Sequence, residues 1–122
     1  MKSSKQLFGK EGEELAVSYL EKNGYRVIAR NFRNRFGEID IIAYEKKVLC
    51  FIEVKARSSL DYGLAVEAVS LKKQKKVSKV ALSYLQDNDL LDGSVRFDVI
   101  AIDYDDEKTL NVELYKNAFD AV

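Results

Sequence analysis

The chain contains no histidine and only one cysteine among its 122 residues, and these scarcities exclude several kinds of catalysis. Without an imidazole there can be no Ser-His-Asp triad, no Cys-His nucleophile and no histidine-ligated zinc. The single cysteine, Cys50, cannot close a disulfide within the chain, and its place in an apolar run is typical of a small buried hydrophobe. Catalysis is therefore left to carboxylates and lysines.

Long apolar segments are also missing. The sequence has no apolar run of the roughly 18 residues that a membrane span requires, and its first residues lack the apolar core of a signal peptide. Because 47% of the residues are hydrophobic and 33% are charged, the composition is that of a folded globular protein. We therefore expect a single cytoplasmic domain over residues 1–122 that has no contact with a membrane.

Positive and negative charges cancel, with 20 of each, but they are unevenly distributed along the chain. Residues 1–86 contain 17 Lys and Arg against 10 Asp and Glu, whereas residues 87–122 contain 3 against 10. Because halves of a sequence need not be halves of the folded protein, this asymmetry permits a nucleic-acid partner but does not by itself indicate one. The candidate phosphate-binding side chains are Arg33, Arg35, Arg57, Lys72, Lys73, Lys75 and Lys76. The alternative is a solvated lysine surface that only improves solubility.

Apolar periodicity and turn residues predict the element order α-β-β-β-α-β-β. This order indicates an α/β fold with a mixed β-sheet flanked by helices. The helices are expected over residues 10–23 and 66–86, and the strands over residues 25–33, 37–45, 47–57, 95–103 and 110–115. The second and third strands are joined by a polar tip and are predicted to form a hairpin.

The register of this hairpin decides which side chains meet. With a two-residue turn at positions 46 and 47, Asp40 lies opposite Glu53 on one face of the hairpin. Glu38 and Lys55 form the next pair on that face. The other face is wholly apolar and is predicted to be core: Ile39, Ile41, Ala43, Cys50, Ile52 and Val54.

Two neighbouring carboxylates in apolar strands require a compensating cation, because the burial of an unpaired carboxylate is strongly unfavourable. Asp40 and Glu53 can bind one Mg²⁺ or Mn²⁺ ion, with the carbonyl oxygen of Val54 as a further ligand. Lys55 would then lie beside the metal-bound water, an arrangement that suits phosphodiester hydrolysis. The alternative is an ordinary ion pair between Asp40 and Lys55 on an exposed ladder.

The spacing of Asp40 from Glu53, Val54 and Lys55 resembles the PD-(D/E)xK nuclease superfamily. A longer ordered set of residues resembles the YraN-like protein family over residues 9–119, nearly the whole chain. The members of that set are Gly9, Gly12, Glu13, Ala16, Tyr19, Leu20, Gly24, Tyr25, Arg30, Asn31, Gly37, Glu38, Ile39, Asp40, Phe51, Ile52, Glu53, Val54, Lys55, Arg57, Arg96, Phe97, Asp98 and Val99. The chain departs from the superfamily pattern at Ile39, where proline often precedes the aspartate.

The resemblance implies a restriction-endonuclease-like fold, similar to archaeal Holliday-junction resolvases, and metal-dependent cleavage of branched or single-stranded DNA. It also implies that Glu13, which precedes Gly24 by the spacing seen in the resolvases, is a third catalytic carboxylate and metal ligand. The alternative for Glu13 is an acid favoured by the dipole at a helix N-terminus. A domain this small is expected to act as a homodimer or with a protein partner.

Two other classes of function remain open at this point. One is a non-catalytic nucleic-acid-binding module on the same fold, because a fold does not by itself imply an activity. The other is an interaction protein whose carboxylates are simply paired with Lys55 and Arg57.

Overall fold

The computed structural model describes residues 4–58, 69–104 and 110–122. Within these residues, two helices pack on a five-stranded sheet: α1 (Ser4–Lys22), β1 (Tyr25–Asn34), β2 (Gly37–Glu45), β3 (Val48–Ser58), α2 (Leu71–Asp87), β4 (Val95–Tyr104) and β5 (Leu110–Phe119). The predicted element order and the α/β class are confirmed. Neither helix in the described part of the chain is long and apolar enough to cross a membrane.

The strands lie side by side in the order β1-β2-β3-β4-β5. The β3–β4 pair is parallel and the other three pairs are antiparallel, so the sheet is mixed as predicted. A parallel pair needs a long crossover, and α2 lies in the connection between β3 and β4. The predicted hairpin register is confirmed from the pair of Ile41 and Ile52 to the pair of Glu45 and Val48 at the turn.

The predicted helix boundaries are only partly correct. Helix α1 ends as predicted just before Gly24, whose φ of +88° lies in the left-handed region that favours glycine, but it begins earlier, at Ser4. Helix α2 begins at Leu71 rather than at residue 66, because Ser70 caps it. The Ser70 side chain accepts a hydrogen bond from the Lys73 N–H at 3.1 Å.

Two apolar clusters cover the two faces of the sheet. The α1 cluster is built from Ala16, Leu20, Tyr25, Ile41, Ala43, Cys50, Ile52, Ile100 and Ile102. The α2 cluster contains, among others, Ile39, Ile42, Leu49, Phe51, Val77, Val80, Ala81, Leu85, Phe97, Val99 and Phe119. Consecutive residues of β3 belong to different clusters, since side chains alternate between the faces of a strand.

The prediction that Ile39 shares a face with Ile41 is wrong. Ile39 packs in the α2 cluster together with Ile42, whereas Ile41 packs in the α1 cluster. The alternation of β2 is therefore interrupted at Asp40. On β1, Asn31 lies between the partners of Ile39 and Ile41 and has a left-handed φ of 51°. The register of the two strands shifts by one position closer to the hairpin turn, between Val27 and Ala29.

A buried polar network joins β1, β2, β4 and β5 at the turn end of the hairpin. Asp98 is fully buried, and its carboxylate accepts hydrogen bonds from Arg96 Nε at 2.8 Å and from the Tyr25 hydroxyl at 3.0 Å. The backbone N–H of Asn117 donates to the same carboxylate at 2.9 Å. Arg96 also donates to Glu45 Oε1 at 2.8 Å. The charge of Asp98 is thus neutralised within the fold, which indicates a structural role.

Candidate metal and nucleic-acid site

At the end of the β2–β3 ladder, the Asp40 side chain forms a hydrogen bond to the backbone of β3. The ladder stops at the pair of Ile41 and Ile52, and Asp40 Oδ2 accepts a hydrogen bond from the Val54 N–H at 2.8 Å. The described register therefore does not extend to the predicted pairs of Asp40 with Glu53 and of Glu38 with Lys55. At the open end of the hairpin, the Asp40 carboxylate thus accepts the hydrogen bond from the Val54 N–H that a backbone carbonyl would accept in a continued ladder.

Glu53 nevertheless lies against Asp40, as the sequence predicted. Its side chain is only 3% exposed and lies on the α2 side of β3, like that of Phe51 two residues earlier. Burial, first, and then the hydrogen bond and the negative charge of Asp40 raise the pKa of Glu53 to about 9. In the protein alone, Glu53 is therefore protonated at neutral pH.

One oxygen of this buried acid has no partner. Within the described part of the chain, Glu53 Oε1 is inaccessible to solvent and makes no hydrogen bond. A buried unsatisfied acceptor destabilises a protein unless it has a functional partner. A divalent cation at this position would satisfy Oε1, replace the proton and compensate the charge of Asp40.

The donor set fits a cation that keeps much of its water. Among the described residues, no group of three or more His, Cys, Asp or Glu side chains is arranged to hold a metal. Asp40 and Glu53 thus supply two carboxylates, and other ligands would have to be backbone carbonyls, water or substrate oxygens. Mg²⁺ commonly binds in this way, through one or two carboxylates, several waters and phosphate.

Glu13, the third predicted carboxylate, lies on α1. It is half-buried and precedes Ala16 and Leu20 by three and seven residues, so it lies on the side of α1 that faces the sheet. Its charge acts on Arg30, whose pKa is raised chiefly by a hydrogen bond to Glu14. Helix α1 covers the sheet face opposite to Glu53, and the role of Glu13 at a metal stays a prediction.

Two lysines lie near the acid pair. Lys55 is exposed and follows Glu53 by two residues on β3, where it faces Ala101 of β4. Lys73, in the first turn of α2, is the cation whose charge opposes the rise in the pKa of Glu53. Sequence reasoning grouped Lys73 with the phosphate-binding lysines and missed this proximity. Its spacing from the apolar Val77 is the signal that could have revealed it.

Three predicted phosphate-binding arginines belong to β1, to the β1–β2 turn and to β3. Arg33 Nε donates to Glu38 Oε2 at 2.9 Å, although the Arg33 side chain is 78% exposed. Arg35 lies over the ring of Phe36, with 4.7 Å from its guanidinium carbon to the ring centre. Arg57 belongs to β3, and its side chain lies outside the described residues. The first two arginines therefore lie at the open end of the hairpin, which is also the end at which Asp40 and Glu53 lie.

Sequence reasoning also missed the aromatic residue of this turn. Phe36 is 38% exposed, and its backbone N–H donates to Asn34 Oδ1 at 2.9 Å. Within the described residues, the Asn34 Nδ2 atom is buried and has no hydrogen-bond partner. An exposed ring beside an arginine is a suitable platform for stacking a base.

The remaining candidate lysines lie on the outer side of α2. Two of them, Lys72 and Lys76, form one exposed stripe with Lys79 at positions i, i+4 and i+7, here called the lysine stripe. Lys75 is also exposed and lies beside this stripe. No acidic residue lies in the first turn of α2. The positive end of the helix dipole and the lysines therefore both attract negatively charged groups.

The fold and the site together define a class: a small α/β protein with a carboxylate pair at the open end of a hairpin in a mixed sheet. The chain belongs to the uncharacterised protein family UPF0102, whose model matches residues 12–102. This membership confirms the resemblance to the YraN-like family that the sequence motifs indicated.

Proteins of the same family are similar over nearly their whole length. A UPF0102 protein of Acetivibrio thermocellus is 46% identical over 97% of this chain and 95% of its own. A UPF0102 protein of Desulfosudis oleivorans is 42% identical over 99% and 96%, respectively. Among solved structures, SfsA of Pyrococcus furiosus in complex with Ca²⁺ aligns with 92% of this chain and 63% of its own, at 15% identity and a TM-score of 0.41.

Proposed function

We propose that this protein is a metal-dependent nuclease that hydrolyses phosphodiester bonds in DNA, with branched or single-stranded DNA as its substrate. The observation that carries the proposal is the buried Glu53 beside Asp40, with one oxygen that lacks a partner. Such a site is poorly explained as a structural ion pair, because no cationic side chain is bonded to Glu53 among the described contacts. A divalent cation explains both the acids and the unsatisfied oxygen.

Mg²⁺ or Mn²⁺ bound here would act as a Lewis acid on the phosphate and lower the pKa of a coordinated water. Asp40 and Glu53 hold and orient the cation, and the Asp40 bond to the Val54 N–H fixes one of the two carboxylates. In the hydrolysis, a water oxygen bonds to phosphorus, one P–O ester bond breaks, and the proton of the water ends on the departing oxygen. The products are a phosphate monoester and a hydroxyl.

The other candidate residues have supporting roles in this proposal. Lys55 lies at the solvent side of the pair and stabilises the negative charge that develops on the phosphate. Glu13 lies on α1, on the opposite face of the sheet from Glu53, so its role in this proposal is limited to a second cation. The DNA backbone is bound by the arginines near the β1–β2 turn and by the lysines of α2, in an interaction that weakens steeply with salt. A homodimer or a protein partner would extend this surface around a duplex.

The decisive experiment compares the wild-type protein with Asp40→Asn and Glu53→Gln on four-way-junction, flap and single-stranded DNA in Mg²⁺ or Mn²⁺. Asp92→Asn and Glu21→Gln are matched controls, because both acids are exposed and lie away from the pair. We expect cleavage by the wild type and the controls, and loss of cleavage on the order of 100-fold or more in the two site variants. A wild-type protein that leaves all three DNA structures intact in both metals contradicts the proposal.

A non-catalytic nucleic-acid-binding module is the second candidate. The lysine stripe favours it, because phosphate binding by exposed lysines needs no metal. In that case DNA binding would show a strong salt dependence, no products would form, and Asp40→Asn would leave the affinity for DNA unchanged.

A further inference from the structure

Lys73 and the lysine stripe lie on different sides of α2. Lys73 precedes Val77 and Val80 by four and seven residues, and residues at these spacings lie on one side of a helix. Both valines are fully buried in the cluster between α2 and the sheet. Lys73 is exposed like the lysines of the stripe, but it continues the sheet-facing row of buried valines by one turn, whereas the stripe lies on the outer side of the helix.

The sheet beneath this row is the open end of the hairpin. Val80 lies so close to Gly37, the first residue of β2, that a Cβ at Gly37 would be 3.4 Å from Val80 Cγ2. Glu53 is on the same face of the sheet, because it follows Phe51 of the α2 cluster by two residues on β3. The N-terminal turn of α2 is held by the Ser70 cap to the Lys73 N–H, and Gln74 Nε2 donates to the Val69 carbonyl at 2.9 Å.

We propose that Lys73, projecting from the sheet-facing row of α2, is a second catalytic cation of the acid site and contacts the phosphate that is cleaved. This inference rests on the proposed nuclease function. The positive charge of Lys73 opposes the effect of burial on the pKa of Glu53, as expected for an ammonium group close to that carboxyl. Lys55 belongs to the sheet and Lys73 to the helix above it, so a phosphate held at the acid pair would have a cationic side chain available from each.

The test measures two quantities for Lys73→Met, Lys73→Arg and Lys47→Met: cleavage of single-stranded DNA at saturating Mn²⁺, and the Mn²⁺ dissociation constant from calorimetry without DNA. Methionine keeps the length of lysine and removes its charge. Lys47 is an exposed lysine of the hairpin turn, at the far end of the sheet, and serves as the control.

Lys73→Met should lower the cleavage rate on the order of 100-fold and, because a like charge beside the cation is removed, strengthen Mn²⁺ binding roughly threefold to tenfold. Lys73→Arg should retain much of the activity, and Lys47→Met should match the wild type in both measurements. Lys76→Met, on the lysine stripe, should weaken DNA binding and leave Mn²⁺ binding unchanged. A Lys73→Met protein with wild-type cleavage and wild-type Mn²⁺ affinity would overturn the inference.

A third measurement separates this inference from the proposed function. Carbodiimide joins an ammonium and a carboxyl group only when they are in contact, and it needs neither metal nor DNA. Cross-linking of Lys73 to Glu53 or Glu38, located by mass spectrometry, supports the inference even if the protein cleaves no DNA. Absence of both cross-links together with unchanged Mn²⁺ affinity would show that Lys73 does not face the acids, whether or not the protein is a nuclease.

Discussion

Replacing Glu53 with glutamine should make the metal-free protein more stable, and the size of the gain follows from the position of the side chain. The ordinary pKa of a glutamate is 4.5, whereas burial and Asp40 raise the pKa of Glu53 to about 9. Between these two values the folded protein binds a proton that the unfolded chain releases. The free energy of unfolding therefore falls as the pH rises through this window.

Each pH unit within the window costs about 1.4 kcal/mol, so the wild-type protein should lose roughly 3 kcal/mol between pH 4.5 and pH 7 through this residue. Glutamine has nearly the same shape and does not titrate. Glu53→Gln should therefore be more stable than the wild type by about that amount at pH 7 and similar to it at pH 4.5. Such a gain is the reverse of what most substitutions at buried positions produce.

Urea unfolding in the presence of a chelator, at half-unit steps from pH 4.5 to pH 9, measures the difference directly. Glu21→Gln is the control, because Glu21 is exposed on α1, and its curve should follow that of the wild type. Added Mn²⁺ should stabilise the wild type by about 2.7 kcal/mol at one hundred times the dissociation constant and have little effect on Glu53→Gln. Parallel pH curves for Glu53→Gln and the wild type would refute the reasoning.

Three further predictions concern the scaffold. Asp98→Ala should lower the free energy of unfolding by about 3 to 5 kcal/mol, because Arg96 keeps only Glu45 as an ionic partner and the Tyr25 hydroxyl and the Asn117 N–H lose their buried acceptor. A loss below about 1 kcal/mol in urea unfolding, on the order of a surface pair, would contradict the structural role of the network. Cys50 should react with a disulfide reagent only on unfolding, since it is buried and burial raises the pKa of its thiol to about 12; rapid reaction of the native protein would argue against its place in the core. Gly37→Val should destabilise the protein by roughly 1 to 3 kcal/mol, because φ is +148° at this position and a Cβ would press on Val80; an unchanged thermal midpoint would disagree with the close approach of α2.

Much of the fold follows from local patterns in the sequence. Alternation and the polar tip predicted the hairpin and its register from Ile41 to Glu45, because one buried face fixes the pairing. The position of Ile39 could not be predicted in the same way. The alternation of β2 is interrupted at Asp40, which places Ile39 and Ile41 on different faces of the sheet, and the apolar pattern of β2 gives no sign of this interruption.

The sequence predicted which residues form the candidate site better than it predicted how these residues are arranged. The proximity of Asp40 and Glu53 follows from the register, but the bond from Val54 to Asp40 does not, since it replaces a ladder contact that the pattern would have continued. Lys73 was missed for a related reason. In the sequence, Lys73 is one of five lysines on a helix, and this pattern is typical of a charged surface. Which residues lie near Lys73 follows only from the packing of α2 on the sheet, where Val80 lies close to Gly37.

The hydrogen bond between Asp40 and Val54 has a consequence for how a cation can be ligated. One lone pair of Asp40 Oδ2 is engaged by the Val54 N–H, so a cation held by Asp40 would compete least with this bond at the other carboxylate oxygen. The same bond ties the ligand to the backbone between Glu53 and Lys55. Beyond the last ladder pair, this bond therefore holds the acid of β2 next to the acid and the ammonium group of β3.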